Sequence, residues 1–201
     1  MDQIVLKPDL RALPSFEVSK IGRNMKFKVL ALLSLVGLVG CAAYGIPHNQ
    51  RPAIMPVQNF DANRYLGKWY ELGRIENSFE RGMFKTTAQY SLNSDGSIKV
   101  VNSGYDPAKQ KFRDATGKAK FVGSPNVGAL KVSFFGPFYG GYNVVALDKD
   151  YQWAIVVGPN PNKYFWVLAR QPKLTKRLKD KALSVAKGLN VDAAKIIWVQ
   201  Q

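Results

Sequence analysis

Thiol and imidazole chemistry has almost no material in this chain, which holds one cysteine, Cys41, and one histidine, His48, among 201 residues. A disulfide framework needs at least a second cysteine, and a Cys/His metal site needs several ligands at fixed spacing. His48 stands between Pro47 and Pro52 with no such partners and reads as a solvated linker residue. The chain also lacks H-x-x-H, G-x-S-x-G and a glycine-rich phosphate loop. The stretch "GPFYGG" resembles a phosphate cradle only superficially, because no helix follows it. The expectation is a protein with no catalytic residues, no metal and no cofactor, and so not an enzyme. No apolar run approaches the ~20 residues that a spanning helix requires. Acidic residues are few, 14 against 29 Lys and Arg.

What is present begins with a three-part segment. Met25, Lys26, Phe27 and Lys28 form a short basic start, and Val29–Val39 an 11-residue run broken by Ser34 and Gly37. Gly40 then precedes Cys41. That order is the order of an export signal, and Leu38-Val39-Gly40-Cys41 resembles a bacterial lipobox. The resemblance implies cleavage before Cys41 and attachment of the chain to a membrane through that acylated residue. Three acyl chains hold far better than one, at about 0.8 kcal/mol per buried CH₂. The expected layout is an upstream extension of uncertain status over 1–24, a lipoprotein signal peptide over 25–40, an anchor and tether over 41–59, and a folded domain over 60–201. Ala42 follows the cysteine, where an Asp would favour inner-membrane retention. The expected location is therefore the outer membrane, on its periplasmic leaflet.

Residues 41–201 carry 23 Lys and Arg against 11 Asp and Glu, a net +12 over 161 residues. Such a charge can mark a nucleic-acid binder. Here the bases are scattered along alternating strands and one helix, so no nucleic-acid partner is expected. Anionic lipid headgroups are the simpler neighbour.

From Phe60 the dominant signal is period two. In "FKTTAQYSL", Phe84, Thr86, Ala88, Tyr90 and Leu92 fall on one face and Lys85, Thr87, Gln89 and Ser91 on the other. "NSDGS", "DPAKQ" and "PNPN" supply turns, and "GPFYGG" another. Gly117 sits where a bulge would suit "KFRDATGKAKFV". With "KWYELGRI" at the front, eight strands are expected. Even spacing and short turns predict an all-β fold, an eight-stranded up-and-down antiparallel β-barrel wide enough for one small ligand. The period then changes. Leu174, Leu178, Ala182, Val185 and Leu189 form a helical stripe, capped by Thr175 and ended near Gly188. "AKIIWVQQ" closes as a short ninth strand.

These elements carry a specific resemblance. "NRYLGKWYELGRI" matches the opening motif of the lipocalins, with Gly67-Lys68-Trp69 as its G-x-W. "ALDKDYQWAIV" resembles their second motif, with Asp148 and Tyr151 in the acidic and aromatic places, and "WVLARQP" the third, with Arg170 at the end of strand eight. Phe60–Gln201 is similar to the bacterial outer-membrane lipocalins. The resemblance implies that Trp69 floors a closed barrel end and that Arg170 lies across its face, as structural residues. It also implies a ligand class, a fatty acid or lysophospholipid that is stored or carried for the cell envelope. Other readings are an interaction lipoprotein whose barrel is filled by its own side chains, and a binder of a small pigment or tetrapyrrole.

If Arg170 reaches the floor, Leu168, Trp166 and Tyr164 share its parity and point inward. Thr86, Ala88 and Tyr90 are expected to do so from the second strand, and Val132 and Phe134 from the fifth. Tyr142 and Val144 follow from the sixth, and Trp153, Ile155 and Val157 from the seventh. The expected ligand-binding set is therefore Thr86, Ala88, Tyr90, Val132, Phe134, Tyr142, Trp153, Ile155, Tyr164 and Trp166. Glu71 shares parity with Trp69 and should also face inward, as a salt-bridge partner or toward a polar ligand head. Homodimerisation is known among lipocalins, and Phe138 and Tyr139 could serve it here.

Overall fold

Alternation of apolar and polar residues makes half-buried strands, and each of the eight expected strands forms. The computed structural model describes residues 52–201. Cys41, the export segment, the upstream stretch, His48 and the tether up to residue 51 lie outside the described residues. A one-turn helix α1 (Ala62–Tyr65) leads into strands β1 (Gly67–Ile75), β2 (Phe84–Leu92), β3 (Ile98–Asp106) and β4 (Lys111–Phe121). Strands β5 (Ala129–Phe135), β6 (Phe138–Leu147), β7 (Trp153–Val157) and β8 (Phe165–Ala169) follow. Helix α2 (Lys176–Gly188), a 3-10 turn (Ala193–Lys195) and strand β9 (Ile196–Trp198) complete the order. Each strand from β1 to β8 pairs antiparallel with its sequence neighbour, and β1 also pairs with β8, so the sheet closes on itself.

Closure is asymmetric at β1. Its first half pairs with β2, from Gly67↔Tyr90 to Tyr70↔Thr87. Beyond that point the two strands part and β9 takes over, from Gly73↔Trp198 to Ile75↔Ile196. The chain after β9 stitches the gap. Val199 N–H donates to Leu72 O at 3.0 Å, Lys85 N–H to Gln200 O at 2.7 Å, and the Gln201 amide to Glu71 O and Thr86 O at 2.6 and 3.0 Å.

Apolar burial divides into two layers, inside the barrel and beneath the helix. Trp69, Tyr90, Val144, Ala154, Val156 and Leu168 belong to the inner layer. The outer layer packs Leu178, Ala182 and Ala186 of α2 on Leu72, Ile155, Val157, Phe165 and Val167. Thr175 caps α2 as its position suggests, its hydroxyl accepting from Leu178 N–H at 3.2 Å.

This division overturns part of the expected inner face. Trp153, Ile155 and Val157 of β7 point outward to α2, and Ala154 and Val156 point into the barrel. Because α2 covers the outside of β7, both faces are apolar and the alternation that marks a half-exposed strand is erased. Two local expectations also change. "GPFYGG" is mostly strand, since β6 starts at Phe138. Gly117 makes no bulge and pairs in register with Val100. It is there for space, because a Cβ would sit 2.7 Å from Ser133 O and 2.8 Å from the Phe134 ring. The end of the expected tether also joins the fold. Val57 N–H donates to Val144 O, and Gly128 N–H to Val57 O.

Candidate functional site

One end of the barrel is closed from the sequence outward. Asp61 caps α1, accepting from the Asn63 and Arg64 backbone N–H groups, and α1 turns Tyr65 beneath the strands. The Trp69 indole donates to Tyr65 O at 2.8 Å, and the Arg170 guanidinium lies 3.9 Å from the Trp69 ring centroid. Arg170 also donates to Lys68 O, Arg64 O and Leu66 O, each at 2.8 Å, and to Tyr151 O at 3.3 Å. One planar group thus ties α1, β1 and the β6–β7 turn together. Gly67 makes the approach feasible, with φ +93° and a Cβ position only 3.3 Å from Arg170 Nη1. Asp148 holds the β6–β7 turn by accepting from Asp150 and Gln152 N–H, and the Tyr151 hydroxyl accepts from Asp61 N–H at 2.8 Å.

Above this floor lies a cavity of about 480 Å³, open at the opposite end. Its deep part is lined by a tyrosine cluster. The Tyr142 hydroxyl lies 2.7 Å from that of Tyr65 and 2.9 Å from that of Tyr90. Burial pushes the ionisation of all three phenols upward, so they stay neutral. The walls are mainly apolar and include Ala88, Val100, Leu130, Val132, Phe134 and Leu168. A volume of this order suits a small or single-chain hydrophobic ligand with a few placed polar groups.

The polar groups gather on one side. In a regular strand, residues 71 and 74 would face opposite ways. A bulge between Glu71 and Gly73 in the β1–β8 register inserts one residue, so Arg74 returns to the face of Glu71. Arg74, 1% exposed, donates to Glu71 Oε1 at 2.8 Å, to Glu76 Oε1 at 3.1 Å, and to the carbonyls of Glu80 and Met83. Glu80 in the β1–β2 loop accepts from the Trp166 indole at 3.1 Å and the Asn77 amide at 2.6 Å, both on Oε2. Burial foremost, and then the charge of Glu80, push the Glu71 carboxyl up to about 8 against the opposing pull of Arg74.

Eight of the ten expected ligand residues line this cavity: Thr86, Ala88, Tyr90, Val132, Phe134, Tyr142, Tyr164 and Trp166. Trp153 and Ile155 do not, for the reason given above. Sequence reasoning missed Tyr65, Met83 and Asn102, which also line it. Tyr65 precedes the G-x-W motif on a helix too short to carry a periodic signal. Met83 lies in a loop, and Asn102 is a polar residue inside an otherwise apolar strand face. The strands that frame the mouth end in exposed aromatics, Phe135 at 82% and Phe138 at 79%.

A family model described as a lipocalin-like domain matches residues 60–201. The chain is 52% identical over 145 residues to a protein of Escherichia coli K12 named outer membrane lipoprotein Blc, spanning 72% of this chain and 81% of that one. It is 44% identical over 174 residues to a protein of the same name from Vibrio cholerae, spanning 86% and 98%. Among solved structures, insecticyanin from the tobacco hornworm superposes with a TM-score of 0.61 at 21% identity, covering 76% of this chain and 86% of that one. The cockroach allergen Per a 4 gives 0.58 at 22% identity, covering 73% and 92%. At such identities the two structures speak for the fold alone.

Proposed function

The chain belongs to the lipocalin family, and from that premise we propose that it is an outer-membrane lipoprotein that binds a single-chain lipid in its barrel. The ligand is a fatty acid or lysophospholipid, stored or carried for maintenance of the cell envelope, and the protein is a binder rather than a catalyst. The observation that carries this reading is the apolar cavity of about 480 Å³ above a sealed floor. It favours lipid binding over a barrel filled by its own side chains. The membrane hold is assigned to acylated Cys41, and the names of the relatives support that location. The periplasmic leaflet is the proposed side, and Phe138 and Tyr139 are the proposed contacts of a homodimer.

Titration of delipidated protein with a lysophospholipid or a fluorescent fatty acid, followed by tryptophan emission, tests the binding reading. Trp166 lines the cavity, so occupancy should give a saturable change. Absence of saturation with both ligands would reject lipid binding, and a visible absorbance band on the purified protein would point to a pigment. Sedimentation velocity of the unliganded protein checks association.

A further inference from the structure

Exposed aromatic rings gather at one end of the barrel. Phe79, Phe112, Phe135 and Phe138 are each more than half exposed. All four stand at the mouth: Phe79 in the β1–β2 loop, Phe112 at the start of β4, and Phe135 and Phe138 on either side of the β5–β6 turn. Around the floor the exposed large apolar residues are aliphatic, Leu92 and Val122. The rim is also continuous with the interior. Phe79 stacks on Tyr164 at 6.1 Å and Tyr164 on Trp166 at 5.9 Å, so aromatic surface runs from the outside into the cavity.

Charge is distributed with the same polarity. In the segments at the mouth, the exposed bases Arg81, Lys109, Lys111 and Lys163 make no ion pair among the described residues, and Asp114 is the one exposed acid there that makes none. At the floor Asp95 and Asp150 take up Lys118 and Lys149, leaving Asp61 with Arg64 and Lys173. A cluster of bare rings marks a surface that meets a partner. A second copy seated mouth to mouth would set the four free bases against their own like charges. An anionic bilayer interface answers both features, with an acyl boundary for the rings and phosphates for the bases. The anchor permits this pose. Residues 41–51 reach at most roughly 40 Å when extended, and β2, nine residues from mouth to floor, rises about 30 Å.

We propose that the mouth of the barrel docks on an anionic bilayer, with Phe79 and Phe135 in the boundary between headgroups and acyl chains, so that ligand passes between membrane and cavity without crossing water. The proposal rests on the lipid-binding reading above and adds the route. The chain has one cysteine, so in the acylated protein an introduced thiol is the single labelling site. A polarity-sensitive fluorophore is placed on Phe135→Cys at the mouth, or on Val122→Cys at the floor, both exposed positions. Each protein is then reconstituted through its own anchor in vesicles of phosphatidylethanolamine and phosphatidylglycerol. The label at 135 should be severalfold brighter than that at 122, and it alone should be quenched by lipids spin-labelled high on the acyl chain. Phe79→Cys should repeat the result from another strand pair of the rim. Lys109→Glu combined with Lys111→Glu should slow uptake of a fluorescent fatty acid from these vesicles about tenfold, with affinity for the same fatty acid in solution unchanged. Equal exposure of the labels at 135 and 122 to water, or uptake indifferent to the charge reversals, would overturn the docking. A label at 135 shielded from water but out of reach of the lipid quencher would assign the rim to a second copy and overturn it too. Failure of the fatty acid to saturate the protein in solution would reject lipid binding instead, and the contrast between 135 and 122 would still report docking.

Discussion

Arg170 shows how much one side chain can decide. It covers the Trp69 ring and donates to four backbone carbonyls from three separate segments. Arg170→Ala would strand those acceptors and should lower stability by about 2–4 kcal/mol, read from urea unfolding midpoints. Arg170→Lys keeps the charge but not the fork, so it should recover less than half of the loss. A full recovery would mean that charge, not geometry, matters at the floor. Glu71 gives a pH signature. Its carboxyl is raised from 4.5 to about 8 in the folded protein. Below about pH 4 folded and unfolded chains both hold the proton, so Glu71 then carries no ionisation penalty. As pH rises toward 8 the unfolded chain releases its proton first, and stability falls across that window. Glu71→Gln lacks this loss. Its melting temperature relative to wild type should therefore improve from pH 5 to pH 8, and a gap constant with pH would refute the assignment.

Elements were legible in the sequence wherever one face met water. The alternation of "FKTTAQYSL" placed Thr86, Ala88 and Tyr90 correctly inside the barrel, because Lys85 and Gln89 marked the outside. In β7 no polar residue marks either face. The cross-strand partners would have settled it: Val156 pairs with Trp166 and Ala154 with Leu168, and β8 had been oriented through Arg170. The bulge in β1 that aligns Arg74 with Glu71 left no readable sign, since Leu72-Gly73 is unremarkable as sequence. The corrected facing of β7 makes its own prediction. Ile155→Ala should cost about 2–5 kcal/mol through the cavity it leaves beneath α2, with lipid affinity unchanged. Val156→Phe should weaken lipid binding by filling the interior, as titration of both variants will show. The reverse pattern would restore the discarded orientation.

For the molecule as a whole, three motifs in order carried the family and the closed barrel, and a short segment before the fold is the basis of the proposed membrane anchor. Cys41→Ala should release the protein from the outer-membrane fraction and abolish labelling by radioactive palmitate; labelling that persists would place the anchor elsewhere. The polar side of the pocket was less readable, because a net charge says nothing about which charges the topology turns inward. One consequence follows from the helix that covers only part of the barrel. Strands β1, β7 and β8 are sandwiched between cavity and helix, and each packs one face into the inner layer and the other into the layer under the helix. Strands β2 to β5 contribute nothing to the layer under the helix. Their inward residues pack in the inner layer alone, with no helix layer behind them. The barrel therefore has a fixed half that preserves its architecture and an adaptable half on which new ligand preferences can evolve, and a library confined to β2–β5 is where altered selectivity should be sought.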